Sequence, residues 1–307
     1  MVMTRPLLHE VAMHGNKAVV IPAPFLQRAG KEILEWLEEV DLADSVKQEI
    51  LETYNFQLPA LNFEIRSIIL VACPFPAYAE VEFVWRGRQI MLKSLVAADL
   101  RGADSYLRKF ARIYGFQLEA ALNLPVKRLA VCSGLAVYGK NNITYVEGMG
   151  SFLYYLVYFS DLSPAHQDWH PVRHAEICNR CKVCFRACET GAIMKDRFLL
   201  DTPRCLCYLN ESPAPFPDWL PLSVHHVIYD CLMCQLPCPM NHEFKDNVAG
   251  PVRFTEVETD LILSGPLLSE LPEGLHEKVC YLGFDLWWEA IPRNLKLMLE
   301  LKGKGNG

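Results

Sequence analysis

The chain has 307 residues, of which 51% are hydrophobic, and a net charge of −6 with a pI near 5.9. This length suffices for one large domain or two ordinary ones with a substantial core. The acidic balance argues against a broadly basic surface that binds nucleic acid. No apolar run approaches the ~18 residues of a membrane-spanning helix, and the N-terminus lacks the long apolar stretch of a secretory signal. We therefore expect a cytoplasmic protein.

The first 165 residues mix predicted helices and strands. Apolar residues recur at helical spacing over residues 31–54, with a break at 41–44, and residues 66–73 form an aliphatic run typical of a buried strand. Residues 81–85 and 89–92 flank a predicted hairpin turn. Residues 104–122 predict one amphipathic helix with Asp104 as its N-cap, and residues 152–159 predict a buried strand or core helix. This order indicates a layered α/β or α+β domain.

The second half of the chain changes in composition. Polar residues 163–173 predict a linker, and residues 176–241 are rich in Cys and Pro with little periodicity. Metal rather than apolar burial should organise that segment. A helical stretch follows at residues 283–301. We predict three parts: an α/β domain over residues 1–165, a ferredoxin-like domain over 166–250, and a C-terminal helical segment over 251–307 that packs on the core.

Twelve cysteines in a cytoplasmic chain indicate metal ligands rather than disulfides. The first group has C-x₂-C-x₂-C-x₃-C spacing and consists of Cys178, Cys181, Cys184 and Cys188. In this spacing three thiolates hold one cubane and the fourth ligates a second cluster. The second group has C-x₂-C-x₃-C-P spacing and consists of Cys231, Cys234 and Cys238. It has one cysteine fewer than the first group, and Cys205 or Cys207 can supply the missing ligand. We predict two 4Fe-4S clusters, the first held by Cys178, Cys181, Cys184 and Cys238 and the second by Cys188, Cys205, Cys231 and Cys234.

Other interpretations of these residues remain open. Two zinc sites are the alternative metal chemistry, but zinc favours paired C-x₂-C knuckles rather than a triple repeat followed by proline. Cys207 is the alternative to Cys205 as a ligand. The pair His225-His226 lies between ligand cysteines and either tunes a cluster or forms a solvated pair, and we expect the solvated pair. The scattered cysteines are expected to be core residues: Cys73, Cys132 and Cys280.

The order of these features resembles epoxyqueuosine reductase, a cobalamin-dependent family with two 4Fe-4S clusters. That family commonly carries Gly-Leu-Gly-Trp-Ile-Gly-Lys-Asn where residues 134–141 read Gly-Leu-Ala-Val-Tyr-Gly-Lys-Asn. A Gly150-Ser151 turn then precedes an apolar run that ends at Ser160-Asp161-Leu162, as in the family. The resemblance extends over the cysteine groups and to Arg293-Asn294-Leu295 near the end of the core.

This resemblance implies a nitroreductase-like domain that holds a corrinoid beside the clusters. Electrons would pass from a low-potential donor through both clusters to cobalamin or a related corrinoid. Reductive dehalogenases have a related arrangement, so the resemblance predicts the cofactors better than the substrate. The implied cofactor-binding residues are Gly134, Leu135, Tyr138, Gly139, Lys140, Asn141, Gly150 and Ser151.

The chain departs from the family at the proton donor. The family's Asp lies three residues before a Pro-Val or Pro-Leu pair, and Leu122 holds that position before Pro125-Val126. A leucine cannot donate a proton, so Tyr106, Tyr138 and Glu147 are the remaining candidates for a general acid. The chain also lacks the C-terminal helical repeats of many members. Together with the acidic charge, this argues against tRNA as a partner.

Three functions follow from these features. The first is a cluster-fed, corrinoid-dependent reductase of an unidentified substrate, which we favour. The second is an accessory protein that binds or reduces a corrinoid for a partner protein and has no substrate of its own. The third is a plain two-cluster electron carrier whose first domain is a docking module.

Overall fold

The structure is a computed structural model that describes residues 3–40, 42, 44–97, 99–164, 168–195 and 198–303. The strands, in chain order, are β1 (Lys17–Pro22), β2 (Ser67–Pro74), β3 (Tyr78–Trp85), β4 (Arg88–Ser94), β5 (Glu119–Ala120), β6 (Ala136–Tyr138), β7 (Thr144–Val146), β8 (Leu153–Ser160) and β9 (Val248–Phe254).

The α-helices, in chain order, are α1 (Thr4–Met13), α2 (Phe25–Glu39), α3 (Asp44–Thr53), α4 (Leu100–Tyr114), α5 (Val126–Cys132), α6 (Val183–Ala187), α7 (Leu206–Glu211), α8 (Glu256–Ser264), α9 (Glu273–Tyr281) and α10 (Ile291–Gly303). Short 3₁₀-helices lie at Glu176–Asn179, Thr202–Arg204, Leu222–Val224, Pro239–Asn241, Leu268–Glu270 and Phe284–Trp287. None of the described helices is long and apolar enough to cross a membrane.

A four-stranded sheet in the order β1-β2-β8-β5 forms the centre of the first half of the chain. Its neighbouring strands all pair antiparallel. Central strand β2 is covered on both faces, which explains its continuous apolar run. Ile68 and Leu70 share a core with residues of α2 and α5, whereas Ile69 and Val71 pack with α1 and α4. The prediction of a mixed α/β layered domain is confirmed.

A second sheet, in the order β4-β3-β9, joins distant parts of the chain. Strands β3 and β4 form the predicted hairpin, and β9 pairs parallel with β3. The core of this sheet also includes α8–α10 and four residues from the cysteine-rich segment, Val227, Ile228, Tyr229 and Leu232. The predicted boundary at residue 251 falls inside β9, so the C-terminal part contributes a strand as well as helices. The division into three parts stays a prediction.

The predicted helix over residues 104–122 is wrong at both ends. Helix α4 begins at Leu100 because the carboxylate of Asp99 accepts a hydrogen bond from the Gly102 N–H at 2.8 Å. Asp104 lies inside the helix and pairs with Arg108 at 2.8 Å. The helix ends where Gly115 adopts φ 73°, a left-handed conformation that favours glycine. Residues after Gly115 therefore leave the helix and lead into β5.

Replacing Asp99 with alanine should lower stability, because the cap satisfies a backbone N–H that has no partner within the helix. Such a cap contributes about 1 kcal/mol, which for a chain of this size corresponds to a fall of roughly 1–2 °C in melting temperature. Anaerobic thermal denaturation measures the effect. Lys109→Ala is the matched control on the same helix, since Lys109 is exposed. Equal melting temperatures for the two variants would contradict the assigned cap.

Candidate iron–sulfur centre and adjoining cavity

The four cysteines predicted for the first cluster lie near one another. The Cys184 thiol interacts electrostatically with Cys178, Cys238 and Cys181, and burial is the main cause that raises its pKa. The backbone winds tightly here, with the Cys181 N–H donating to the Ile177 carbonyl at 3.1 Å. All four are half-buried free thiols. This geometry suits a single metal cluster near the surface.

The four cysteines predicted for the second cluster are distant in sequence but close together in the fold. Burial is the main cause that raises the pKa of Cys231 to about 12, and Cys205 and Cys188 are among the thiols that interact with it. Burial likewise raises the pKa of Cys234, which interacts with Cys231 and Cys205. These four thiols therefore lie near one another, in the combination predicted for the second cluster. Their role as ligands stays a prediction.

Cys205 and Cys207 differ in their surroundings. A hydrogen bond from the Cys207 thiol is the main cause that lowers the pKa of Cys205 to about 6, and the backbone N–H groups of Tyr208 and Cys207 also donate to it. The Cys207 sulfur also lies 3.4 Å from Glu211 Oε1. A ligand atom from each of Cys207, Glu211 and Asp230 lies within 4.8 Å of the other two. Cys205 is also the one of the two that interacts with Cys231 and Cys234, which agrees with its prediction as the ligand.

A cavity of about 780 Å³ adjoins the second cysteine group. Cys188, Cys205, Cys231 and Cys234 line it, together with Cys207, whereas the cysteines predicted for the first cluster are absent from its described lining: Cys178, Cys181, Cys184 and Cys238. Apolar side chains of α2 and α3 line it as well, among them Ile33, Trp36, Val46 and Ile50. The cysteines predicted for the second cluster therefore line a partly open, largely apolar space, part of which a cluster would itself fill.

Charged side chains that sequence reasoning missed also line this cavity. Lys127 extends from α5, and its exposed side chain donates from Nζ to the Asn142 carbonyl at 3.3 Å. Burial, followed by the charge of Asp230, raises the pKa of Glu211 to about 8. Arg128 also lines the cavity, held by Glu32 at 2.7 Å. Nothing in the local sequence of these residues indicates that they line one cavity.

The predicted corrinoid-binding residues separate into two sets. Tyr138 and Asn141 line the cavity. The buried Asn141 amide donates to the Tyr145 hydroxyl at 2.9 Å and to the Cys234 carbonyl at 3.4 Å. It therefore links the β6–β7 hairpin to the second cysteine group.

The remaining predicted residues lie outside the described lining of the cavity. Gly134 has φ 84° and lies beside His170, while Leu135 packs against the core of the first sheet. Gly139 leaves room for Asn141, and Lys140 is exposed.

Gly150 and Ser151 contact the cysteine-rich segment rather than the cavity. The Asn241 Oδ1 atom accepts from the Ser151 N–H at 2.9 Å, and the Asn241 amide donates to Ser151 Oγ at 2.8 Å and to the Gln235 carbonyl at 2.9 Å. A side chain at residue 150 would meet Asn241 Oδ1 at 2.5 Å. The glycine is therefore needed for close approach of two chain segments.

The candidate proton donors lie in different places. Tyr138 lines the cavity, and burial raises its pKa. Tyr106 accepts a hydrogen bond from Asn16 at 2.9 Å and stacks on His14, while Glu147 is exposed and its carbonyl accepts from Lys17. Leu122 is 77% exposed. Of the three candidates, Tyr138 alone is among the described residues of the cavity wall.

The expectation of a solvated histidine pair is wrong. His225 is buried and packs on Phe216, with ring centroids 4.5 Å apart, and burial lowers its pKa to about 4. His226 is half-buried, with Nε2 4.0 Å from the Cys231 sulfur. The alternative, that a histidine lies against a cluster cysteine, agrees with this contact.

Comparison with known proteins supports this interpretation of the cysteines. Residues 177–241 match the 4Fe-4S double cluster binding domain. The curated relatives include the epoxyqueuosine reductase of Francisella cf. novicida, 33% identical over 115 residues, which are 37% of this chain and 31% of that protein. The enzyme of Listeria monocytogenes is 25% identical over 70% of this chain and 59% of its own length. The chain thus spans about a third of the length of the first curated relatives it matches.

Solved structures share the fold over most of the chain. Epoxyqueuosine reductase from Bacillus subtilis, with its catalytic loop swung out of the active site, has a TM-score of 0.62 at 20% identity and covers 97% of this chain and 81% of its own. Another epoxyqueuosine reductase, crystallised with a tRNA stem loop, has a TM-score of 0.52 at 19% identity over 89% of this chain and 81% of its own. The chain therefore shares its fold with epoxyqueuosine reductases, and residues 177–241 are similar to the 4Fe-4S double cluster binding domain.

Proposed function

We propose that the chain is an iron–sulfur oxidoreductase that passes single electrons through two 4Fe-4S clusters to a corrinoid in the adjoining cavity. The observation that carries this proposal is the asymmetry of the two cysteine groups. The cysteines predicted for the second cluster line the described wall of the cavity, and those predicted for the first cluster do not. Electrons would therefore enter at the first cluster and leave at the second.

The cluster ligands proposed here are those that the spacing predicts. The first set is Cys178, Cys181, Cys184 and Cys238, and the second is Cys188, Cys205, Cys231 and Cys234. Their support is mutual proximity and the match to a double-cluster domain. Thiolates are the usual ligands of such clusters.

The cavity suits part of a cobalamin-like cofactor, whose remainder would extend beyond the described wall. Its volume of about 780 Å³ lies in the range of about 300–1,000 Å³ usual for small-molecule and cofactor sites. A corrinoid there would supply a cobalt centre that stores the electrons delivered by the clusters. Ile33 and Ile50 would contact its apolar parts, while Asn141, Lys127 and Tyr138 offer polar groups to its amides.

The substrate proposed for this site is a nucleoside or another small molecule, and tRNA is retained as a candidate. The acidic composition argued against tRNA, but a structural relative that covers most of this chain has been crystallised with a tRNA stem loop. The overall charge therefore does not exclude an RNA partner. Epoxyqueuosine in tRNA is the first substrate to test.

A proton donor is also needed for reduction of an epoxide or a similar group. The exposed Leu122 cannot serve, and we propose Tyr138 because its buried side chain lines the cavity. Glu211 is the second candidate. Its carboxyl has a pKa raised to about 8 by burial, so at neutral pH it holds a proton that it can donate.

Anaerobic purification followed by iron, sulfide and cobalt analysis tests the proposal. We expect about eight irons per chain and a shift in the visible spectrum of added cobalamin. Eight irons without corrinoid affinity would leave a plain electron carrier. Corrinoid binding without turnover on an epoxyqueuosine-containing tRNA, with or without a partner protein, would favour the accessory function or another substrate.

A bulky side chain within the cavity should block the corrinoid. Ile50→Trp on α3 should weaken cobalamin binding at least about tenfold, because Ile50 lines the cavity. Leu51→Trp is the matched control, since the neighbouring Leu51 is 47% exposed and lies outside the described lining. Spectroscopic titration at equal iron content measures both. Equal affinities would contradict a corrinoid in this cavity.

A further inference from the structure

The loop that carries the first cysteine group has an unusual charge for this chain. Residues 177–188 include three basic side chains, Arg180, Lys182 and Arg186, and no acidic one, whereas the whole chain has a net charge of −6. Glu176 and Glu189 flank the segment. Basic side chains therefore alternate with the cysteines of this loop, on a chain that is acidic overall.

These basic side chains are available to a partner. All three are exposed, and within the described ranges none forms an ion pair. Two large apolar side chains of the same loop are also exposed, Ile177 by 47% and Phe185 by 38%. Exposed apolar groups rimmed by charges are typical of a protein interaction site. We call these five residues the basic entry face.

The position of this face agrees with electron entry. Its residues alternate with Cys178, Cys181 and Cys184, so a docked protein would lie directly over the first cluster. The described wall of the cavity includes none of these three cysteines. A donor at this face would therefore leave the cavity free for its own ligand.

We propose that the basic entry face docks an acidic one-electron carrier protein, such as a ferredoxin or a flavodoxin. This inference rests on the proposed function, since it assigns the surface through which the clusters are reduced. The reduced carrier loses one electron and the first cluster gains it, with no bond made or broken. Complementary charge increases the rate of encounter between such proteins.

The test compares two charge-reversed variants with the unaltered protein. R180E/K182E/R186E reverses the face, and K109E/R112E/K302E makes the same charge change at exposed residues elsewhere. Stopped-flow spectroscopy follows cluster reduction by a reduced acidic 2Fe-2S ferredoxin. The salt concentration is varied from about 0.01 M to about 0.3 M, over which the screening length falls severalfold.

We expect the second-order rate constant of the unaltered protein to fall at least about tenfold with salt. At low salt, the face variant should react at least about tenfold more slowly than the unaltered protein, and the control variant should match the unaltered protein. Photoreduced 5-deazariboflavin, a small uncharged reductant, should reduce all three proteins at the same rate. The neutral variant R180Q/K182Q/R186Q should be reduced by ferredoxin at an intermediate rate. It serves as the test variant if the charge-reversed variant loses iron.

Equal ferredoxin rates for the face and control variants would overturn the docking surface while leaving the proposed function intact. Clusters that neither reductant can reduce would instead contradict the proposed function. If reversal of the face abolishes binding of a tRNA stem loop, measured by fluorescence anisotropy, and leaves the ferredoxin rate unchanged, the surface binds nucleic acid and the proposal is wrong.

Discussion

Cys205→Ala should lower the iron content of the anaerobically purified protein from about eight to about four per chain, whereas Cys207→Ala should leave it unchanged. The reason is the difference in environment. Cys205 receives backbone N–H donors and faces Cys231 and Cys234, which stabilises a thiolate ready to bind iron. Cys207 is turned towards the carboxylate of Glu211 at 3.4 Å.

Iron and sulfide analysis, with electron paramagnetic resonance of the reduced protein, measures both variants. The reverse pattern of losses would make Cys207 the ligand. Retention of all iron by both variants would exclude both residues and require another fourth ligand. Zinc in place of iron and sulfide, after strictly anaerobic purification, would contradict the clusters themselves.

Asn241→Ala should be strongly destabilising. The Asn241 side chain is fully buried and joins the Gly150-Ser151 turn to the cysteine-rich segment by three hydrogen bonds to Ser151 and Gln235. Removal of the Asn241 side chain leaves the buried Ser151 N–H without its acceptor. Loss of the three hydrogen bonds together should lower the free energy of unfolding by about 3 kcal/mol. For a chain of this length we expect a melting temperature about 5 °C lower.

The matched control is Asn247→Ala, because Asn247 is an exposed asparagine shortly after Asn241 in the chain. Anaerobic thermal denaturation at equal iron content separates loss of the hydrogen bonds from loss of a cluster. A melting temperature within about 1 °C of the unaltered protein would show that Asn241 makes no net contribution to stability.

Local sequence patterns predicted much of the fold. Strand β2 and the turn between β3 and β4 are determined by residues that are neighbours in the sequence, and both predictions are correct. The end of α4 was predictable in principle from Gly115, but the apolar spacing that continues through Leu118 and Leu122 obscured it. The pairing of β9 with β3 was not predictable, because nothing in either strand specifies a partner about 170 residues away.

The candidate site follows the same division. Cysteine spacing is a local pattern, and it predicted the two groups of thiols that the fold brings together. Lys127 of α5 and Glu211 of α7 line the same cavity only because the fold brings distant chain segments together, so their sequence neighbours give no indication of it. The glycines at 134 and 150 were predicted to approach a ligand. Gly150 instead admits Asn241, since a close approach required by the protein itself leaves the same pattern in the sequence.

Because the cysteine-rich segment contributes residues to the protein core, the supply of iron should affect the amount of folded protein in the cell. The segment enters the core of the second sheet just before Cys231, where the Ile228 N–H donates to the Lys93 carbonyl at 3.0 Å and the Tyr229 hydroxyl donates to the Leu282 carbonyl at 2.7 Å. Clusters that bind only the folded chain stabilise it by mass action. In an iron-starved cell, the apo chain would therefore unfold more often and be degraded faster, so its amount would fall without any change in its synthesis.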